Sequence, residues 1–214
     1  IKLGDSLDTP WAPKAAGSDT FARVMKRARR EKRVKAIVLH IDSRGGSSLA
    51  SELMLAAVRR AAGEKPVVAF VDRVAASGGY MAAVGASHIV AAPAAITGSI
   101  GVFGGKFEFS GLLERLGVGK ARVQLGRNAA LESPFEPWTE DERAALDREI
   151  EETYQDFLAA VAAGRRLGVE QVAPLAEGRI YTGRRARELG LVDEVGDFEE
   201  IGRASCRERV CYVV

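Results

Sequence analysis

Two apolar segments, each followed by a pair of glycines, constrain the fold of this chain more than any other feature. Residues 34–42 are rich in β-branched side chains and lead into Gly-Gly at 45–46; residues 66–71 lead in the same way toward Gly-Gly at 78–79. Helical periodicity follows both pairs, and a predicted helix precedes the first segment. Short strands that alternate with helices predict an α/β domain with a mostly parallel sheet covered on both faces.

The same periodicity predicts the other elements. The helix that follows the first glycine pair is expected to turn Leu49 and Leu53 toward the core. Further strands are predicted at residues 88–92, 100–103 and 120–125, and a long helix that begins with a capping box at residues 139–164.

A serine lies at the second glycine turn. Ser77 stands between a predicted strand and a predicted helix, and it is followed directly by Gly78 and Gly79. Glycines permit tight backbone conformations, and the first free N–H groups of a helix carry partial positive charge. An oxyanion beside Ser77 would therefore find hydrogen-bond donors. A serine in front of a helix also commonly serves as a simple N-cap, and this turn alone leaves that alternative open.

Neighbouring parallel strands end at the same edge of a sheet, where loops build sites. The N–H groups of Gly46 and Gly78 are therefore expected to converge beside the Ser77 hydroxyl as an oxyanion hole. The alternative is that each glycine pair only permits a close turn between strand and helix.

A nucleophilic serine needs a base. His40 and His88 have no obvious orienting carboxylate in the sequence, so a Ser-His-Asp triad is not favoured. A desolvated lysine that is held by a second hydroxyl could take the proton instead, and Thr-Gly-Ser-Ile-Gly at residues 97–101 offers such a hydroxyl.

Several ordered motifs resemble the signal peptide peptidase A family, membrane-bound bacterial serine proteases of the ClpP/crotonase superfamily. The resemblance covers residues 15–200. The motifs are Asp-Ser-Arg-Gly-Gly at 42–46, Ala-Ala-Ser-Gly-Gly-Tyr at 75–80, Thr-Gly-Ser-Ile-Gly-Val at 97–102, and Gly-Arg-Ile-Tyr-Thr-Gly at 178–183 with Gly-Leu-Val-Asp at 190–193. The resemblance implies a ClpP/crotonase-like fold with a long C-terminal helix for subunit contact. It implies that Ser77 is the nucleophile, that Gly46 and Gly78 form the oxyanion hole, and that Ser99 orients a general-base lysine.

The chain departs from the family at that lysine. The lysine position of single-domain members falls on Ala129, and Arg127 cannot replace it because an arginine stays protonated in proteins. Long members are tandem duplications in which the N-terminal half supplies the lysine, and this chain resembles their serine-bearing C-terminal half. The alternatives are a base from this chain, Lys106 or Lys120, and a catalytically inactive peptide-binding or assembly domain. Acyl-CoA chemistry of the crotonase type is less favoured, since no carboxylate neighbours Ser77.

The resemblance implies peptide substrates, such as cleaved signal peptides and other small membrane-released peptides. It also implies a missing N-terminal half as a partner, a homo-oligomer of four or more subunits, and association with the cell membrane through an upstream anchor. No cofactor or metal is expected. The 31 basic and 29 acidic residues are interspersed, so no nucleic-acid partner is expected either.

The sequence divides into three parts. Residues 1–17 are expected to be a loop or a truncated upstream segment, and residues 18–200 a single peptidase domain. Residues 201–214 resemble the translation of a sequencing adapter and are expected to be a non-native tail. Both cysteines, Cys206 and Cys211, lie in this tail, so the body offers neither a thiol nucleophile nor a disulfide framework.

Overall fold

A computed structural model describes residues 1–9, 12–199, 201 and 210–213. The chain divides into two compact units, one formed by Ile1–Gly101 with Asp156–Val214 and the other by Val102–Gln155. The helices are α1 Ser18–Arg30, α2 Ser48–Ala62, α3 Gly78–Ala83, α4 Ser110–Arg115, α5 Glu140–Arg165, α6 Val169–Val172 and α7 Gly183–Glu188, and a 3₁₀ turn spans Ala173–Leu175. The strands are β1 Leu7–Thr9, β2 Ala12–Ala15, β3 Ala36–Ser43, β4 Val67–Ala76, β5 His88–Ala91, β6 Ile96–Gly98, β7 Ile180–Thr182, β8 Glu194–Val195 and β9 Val210–Val213.

The first unit contains a seven-stranded sheet in which only the β6–β7 pair is antiparallel. Its centre is the parallel pair β3–β4, with Ile37 opposite Val67 and Ser43 opposite Ala75. Apolar β-branched residues line these strands, and Ile37, Val67 and Val71 are fully buried. The predicted α/β fold with a mostly parallel sheet is confirmed.

Strand β4 has two different neighbours along one of its sides. Its first half pairs with β5, from Val68 to Val71, and its second half pairs with β6, from Val74 to Ala76. The sheet therefore forks near the middle of β4. Only the second half of β4 leads into the turn that carries Ser77.

The helices of the first unit bury small and apolar side chains. In α2 the buried face consists of Ala50, Ser51, Met54, Leu55, Ala57, Val58 and Ala61. The expectation for Leu49 and Leu53 is wrong, since they are 53% and 43% exposed. The face of α2 that carries Ser51 lies directly against the Gly78 backbone, where a Cβ added at Gly78 would come within 2.0 Å of the Ser51 hydroxyl oxygen. The close approach of α2 to Gly78 requires a small residue, Ser51, on the inner face of the helix.

Other boundaries differ from the expectation. Residues 1–17 contain the antiparallel hairpin β1–β2 rather than only loop. The third parallel neighbour of β4 begins at Ile96, and neither residues 100–103 nor residues 120–125 form a strand. Ile100 is buried, and its carbonyl accepts from the Gly178 N–H instead of joining a ladder, whereas residues 120–125 lie in the second unit and are largely exposed.

The second unit, Val102–Gln155, holds α4 and the first part of α5. The predicted capping box is present: the Glu142 carboxylate accepts from the Thr139 N–H at 2.9 Å, and the Glu142 N–H donates to the Thr139 hydroxyl at 3.2 Å. The Thr139 N–H bond lowers the pKa of Glu142. In this unit the Lys106 ammonium lies 5.3 Å from the centre of the Trp138 ring, a cation–π distance.

Residues 201–214, expected to be a non-native tail, lie mostly outside the described residues. Within them, the backbone of Val210–Val213 pairs in parallel with β3. Among the described residues of the chain, no helix is long and apolar enough to cross a membrane.

Candidate active site

Ser77 occupies the junction between β4 and α3 in a strained conformation. Its backbone angles are φ 51° and ψ −121°, a region that L-residues with a side chain rarely adopt. Such a conformation costs about 1–3 kcal/mol and persists only where the surrounding structure imposes it. Ser77 stands at the N-cap position of α3, yet its side chain makes no capping hydrogen bond. The N-cap alternative therefore does not explain this serine.

The two glycine turns lie in contact. Gly45 has φ +98°, and a Cβ added to it would lie 2.8 Å from the Gly78 nitrogen and 2.9 Å from the Ser77 Cβ. A Cβ on Gly79 would lie 2.7 Å from the Ser43 carbonyl oxygen. Glycine is thus required sterically at both turns, and the Gly45 backbone of the first turn lies beside the serine at the second. Both readings of the glycine pairs, close packing and an oxyanion hole, agree with this arrangement.

Ile1 packs onto the first turn, a contact that the sequence does not predict. Its amine donates to the Gly45 carbonyl at 2.7 Å, and its carbonyl accepts from the Ser47 N–H at 3.2 Å. A Cβ on Gly46, whose φ is +149°, would lie 2.1 Å from the Ile1 oxygen. A peptide unit therefore already lies against the backbone of Gly46. Burial lowers the pKa of the Ile1 amine.

Strand β6 brings Ser99 to the same edge of the sheet. Ala76 pairs with Gly98, and the Ser77 N–H donates to the Gly98 carbonyl at 2.9 Å, so the two serines follow paired residues on neighbouring strands. Ser99 also has a positive φ, 49°. The buried Thr97 hydroxyl donates to the Ala75 carbonyl at 2.9 Å. Of the two hydroxyl groups in this motif, that of Thr97 is thus already used in a hydrogen bond to the backbone.

A turn of the first unit holds Ser99 from the other side. The Ser99 N–H donates to the Arg179 carbonyl at 2.7 Å, and the Gly178 N–H donates to the Ile100 carbonyl at 3.0 Å. A Cβ on Gly98 would lie 3.0 Å from the same Arg179 oxygen. The motif at residues 178–183 therefore fixes the backbone of the motif at residues 97–102.

Both histidines have carboxylate neighbours that the linear sequence does not reveal, so the expectation on this point is wrong. His40 Nε2 lies 3.7 Å from an Asp72 oxygen, and His88 Nε2 lies 3.4 Å from a Glu194 oxygen. Neither pair is near Ser77. His40 pairs with Phe70 and His88 with Val68, seven and nine positions before Ser77, or roughly 20–30 Å along a strand. A triad with either histidine is excluded by this spacing.

The lysine candidates belong to the second unit. Lys106 lies over Trp138 there, and the Lys120 ammonium donates to the Phe135 carbonyl. Ala129, where the resemblance predicts the family's lysine, is exposed in the same unit and lines a cavity of about 290 Å³ together with Lys120. In the first unit, Lys65 donates to two carbonyls at the end of α1.

The helix behind Ser77 is anchored by groups that sequence reasoning did not assign. The buried Tyr80 hydroxyl donates to the Leu191 carbonyl at 2.7 Å, and burial raises the pKa of Tyr80. Arg165, at the end of α5, donates to the Gly190 carbonyl at 2.9 Å and to both oxygens of Asp193. The motif at residues 190–193 is thus a clamp between α3 and α5. Its Gly-Leu-Val-Asp sequence signalled the family but not this role.

Asp193 is stabilised as a carboxylate. Burial would raise its pKa, but hydrogen bonds from Arg165 and from the Ile89 N–H outweigh burial and lower the pKa. The Ile89 N–H donates at 2.7 Å. This carboxylate therefore ties β5 to α5.

Comparison with known proteins agrees with this geometry. Protease 4 of Salmonella typhi is 39% identical over 199 residues, which cover 92% of this chain and 32% of that protein. The chloroplastic serine protease SPPA of Arabidopsis thaliana is 38% identical over 92% of this chain and 30% of its own length. Protease 4 of Haemophilus influenzae is 36% identical over 92% of this chain and 32% of its own length. The chain thus spans about a third of the length of these relatives.

The family model described as peptidase family S49 matches residues 59–208, a segment that begins within α2 and includes Ser77, Ser99 and the clamp at residues 190–193. A match over more than half of the chain, with relatives above 35% identity across most of it, establishes the family. This chain belongs to peptidase family S49.

Proposed function

We propose that this chain carries the nucleophile and oxyanion hole of a serine endopeptidase. The observation that supports this most directly is the strained Ser77, which has no capping role and stands at the contact between two glycine turns. Strained backbone of this kind concentrates at active sites. The names of the relatives, which include serine protease and protease, agree with a hydrolase.

In the proposed reaction the Ser77 oxygen attacks the peptide carbonyl carbon and forms an acyl-enzyme as the C–N bond breaks. The serine proton passes to a neutral lysine and then to the leaving amine, and water later hydrolyses the ester. The N–H groups of Gly46 and Gly78 stabilise the negative oxygen of the tetrahedral intermediates. Ser99 orients the lysine amine toward Ser77.

We further propose that the lysine comes from outside this chain, from an N-terminal half of the same protein. Ala129 occupies the family's lysine position, and Arg127 stays protonated. Two of the relatives, Protease 4 of Salmonella typhi and the chloroplastic SPPA of Arabidopsis thaliana, are about three times as long as the matched segment, which leaves room for a second half in proteins of that length. Residues 1–200 alone are then expected to fold but to be nearly inactive, because positioned proton transfer contributes about 10²–10⁴-fold.

The proposed substrates are cleaved signal peptides and other small membrane-released peptides with small and apolar side chains. We propose a homo-oligomer of four or more subunits, held at the membrane by an upstream anchor. Support for a subunit contact comes from the second unit, whose exposed large apolar residues include Phe103, Phe107, Leu116, Val123 and Leu125. Surfaces with this many exposed apolar side chains are typical of protein–protein contacts.

The test is a pair of serine variants in the complete parent protein. Ser77→Ala is expected to reduce cleavage of a fluorogenic apolar peptide by at least about 10³-fold, and Ser48→Ala, at an exposed serine of the same unit, is expected to leave it unchanged. Ser99→Ala should lower the rate and shift the pH profile, since it removes the hydroxyl that orients the base. Retained turnover in Ser77→Ala would overturn the assignment.

Ala129 favours a second candidate, a peptide-binding domain without catalysis. Mixing the 214-residue chain with its N-terminal half separates the two, since only the enzyme gains turnover and labelling of Ser77 by a fluorophosphonate. If the isolated chain turns over substrate and loses this activity in Lys106→Met or Lys120→Met, the proposal that the lysine comes from outside this chain is wrong. Peptide binding with no turnover in the complete protein would establish the binding domain.

A further inference from the structure

A polar cavity of about 430 Å³ lies in the first unit at the edge of the sheet opposite Ser77. Its walls come from Arg59 on α2, from residues 84–88 between α3 and β5, from residues 163–166 at the end of α5, and from Asp193. Residues 84–88 lead into the start of β5, whereas Ser77 follows the end of the parallel strand β4. The cavity is therefore separate from the candidate active site.

The charges of the lining do not balance. Three arginines line the cavity together with a single carboxylate, Asp193. Arg165 neutralises that carboxylate through two hydrogen bonds, of 2.9 and 2.7 Å, and its side chain is only 7% exposed. Arg59 donates to the neutral Ala160 carbonyl at 3.1 Å. Within the residues that the structure describes, no carboxylate pairs with Arg59 or Arg166.

The remaining titratable residue of the lining is His88, which faces Asp193 at 3.8 Å and Glu194 at 3.4 Å. His88 therefore has two carboxylates beside it, both on the Asp193 side of the cavity. Arg59 and Arg166 are the two remaining cationic residues of the lining; both are exposed to solvent, and among the described residues no carboxylate pairs with either.

The backbone at Arg166 adopts a conformation in which an arginine side chain is not required for helix termination. The Leu167 N–H donates to the Ala162 carbonyl at 2.9 Å, which closes the C-terminal turn of α5 as a Schellman motif. Arg166 takes the left-handed position of that motif, with φ +58°, where glycine is the usual residue. The backbone alone would favour glycine here.

We propose that this cavity binds the oxyanion group of a small ligand, a phosphate or a terminal carboxylate, between Arg59 and Arg166. Guanidinium groups present planar N–H donors that match both kinds of oxyanion, and a partly enclosed cavity strengthens such charged hydrogen bonds. The Arg165–Asp193 pair forms a fixed wall of the site. An anion in this position would accept hydrogen bonds from both guanidinium groups, whereas a neutral or cationic ligand would leave these donors to water.

The test is calorimetric titration of the 214-residue chain at constant ionic strength with three probes: inorganic phosphate, N-acetyl-trialanine, and the C-terminal amide of that peptide. Arg166→Gly removes the side chain while it relieves the backbone, so its thermal midpoint should equal or exceed that of the parent. Arg59→Gln removes the second cation. The matched control is Arg60→Gln, since Arg60 is an exposed neighbour that does not line the cavity.

We expect saturable one-site binding that weakens at least about tenfold in Arg166→Gly and in Arg59→Gln, as for a lost charged hydrogen bond. The control should change binding by no more than about twofold, as for a solvent-exposed charge. Binding of phosphate, or of the peptide acid but not its amide, supports the site and identifies the source of the oxyanion. Any one of three results would overturn the proposed site. These are no saturable binding of either anion, equal weakening in the Arg60→Gln control, and undiminished binding in a folded Arg166→Gly variant.

Discussion

Replacement of Ser77 by glycine should stabilise the protein while it removes the proposed nucleophile. Ser77 has φ 51° and ψ −121°, which is strained for any residue with a Cβ. We take the strain as about 1–3 kcal/mol. Glycine loses more backbone entropy on folding, about 0.5–1 kcal/mol. The difference predicts that Ser77→Gly is more stable than Ser77→Ala by about 0.5–2 kcal/mol, because alanine lacks the hydroxyl but keeps the strain.

Urea unfolding followed by circular dichroism measures this difference, with both variants fitted to one common slope. A control pair at Ser48, an exposed position in the first turn of α2, should give the opposite sign. There glycine is expected to be less stable than alanine by about 0.5–1 kcal/mol. If Ser77→Gly is no more stable than Ser77→Ala, the turn is not strained, and the main physical support for a special role of this serine is lost.

Three further results are expected. Asp193→Asn should lower the free energy of unfolding by about 2–4 kcal/mol, because it weakens the pairing of the buried Arg165. The control Glu194→Gln, at an exposed carboxylate, should change the free energy of unfolding by less than about 0.5 kcal/mol. Equal effects of the two variants would contradict the clamp. The pKa of Asp193 is lowered from 3.8, so its contribution to stability is full above that value and is lost as the pH falls below it. Unfolding titrations between about pH 5 and pH 3 should therefore show a steeper loss for the parent than for Asp193→Asn, and parallel curves would refute this. Gly45→Ala should lower the free energy of unfolding by about 2–4 kcal/mol, because Gly45 has a positive φ and contacts Gly78. For the control Gly105→Ala, where an added Cβ meets nothing within 4 Å, the same urea assay should show a change of no more than about 0.5 kcal/mol.

The parallel pairing of β3 with β4 and the meeting of the two glycine turns could be predicted because both depend on local patterns. A β-branched run followed by glycines and a helix predicts a strand that ends in a turn, and parallel neighbours bring such turns together. Contact between Gly45 and the Ser77 turn follows from this rule. The position of Ser99 does not follow from it, because the expected strand at residues 100–103 would place Ser99 before a strand, whereas β6 ends at Gly98 directly before Ser99.

Features that depend on the third dimension could not be predicted in this way. His88 meets Glu194 across 106 positions of sequence, and no local pattern reports such a pair. Leu49 and Leu53 follow the hydrophobic periodicity of α2, yet the close approach of Gly78 to Ser51 makes the small residues the inner face. Residues 120–125 have strand-like composition, but a segment without a neighbouring strand edge cannot form a ladder.

The fork in β4 has a consequence for how the molecule opens locally. Residues 68–71 pair continuously with β3 and with the four-residue strand β5. Residues 74–76 pair with β3 only at Ala75, after an irregularity in the register, and on the other side with the three-residue strand β6, which pairs in turn with the three-residue strand β7. Amide hydrogen exchange at residues 68–71 is therefore expected to require global unfolding, while the amides from residue 74 to Ser77 can exchange through smaller fluctuations. A peptide bound beside Ser77 is therefore expected to slow amide exchange at residues 74–77 more than at residues 68–71.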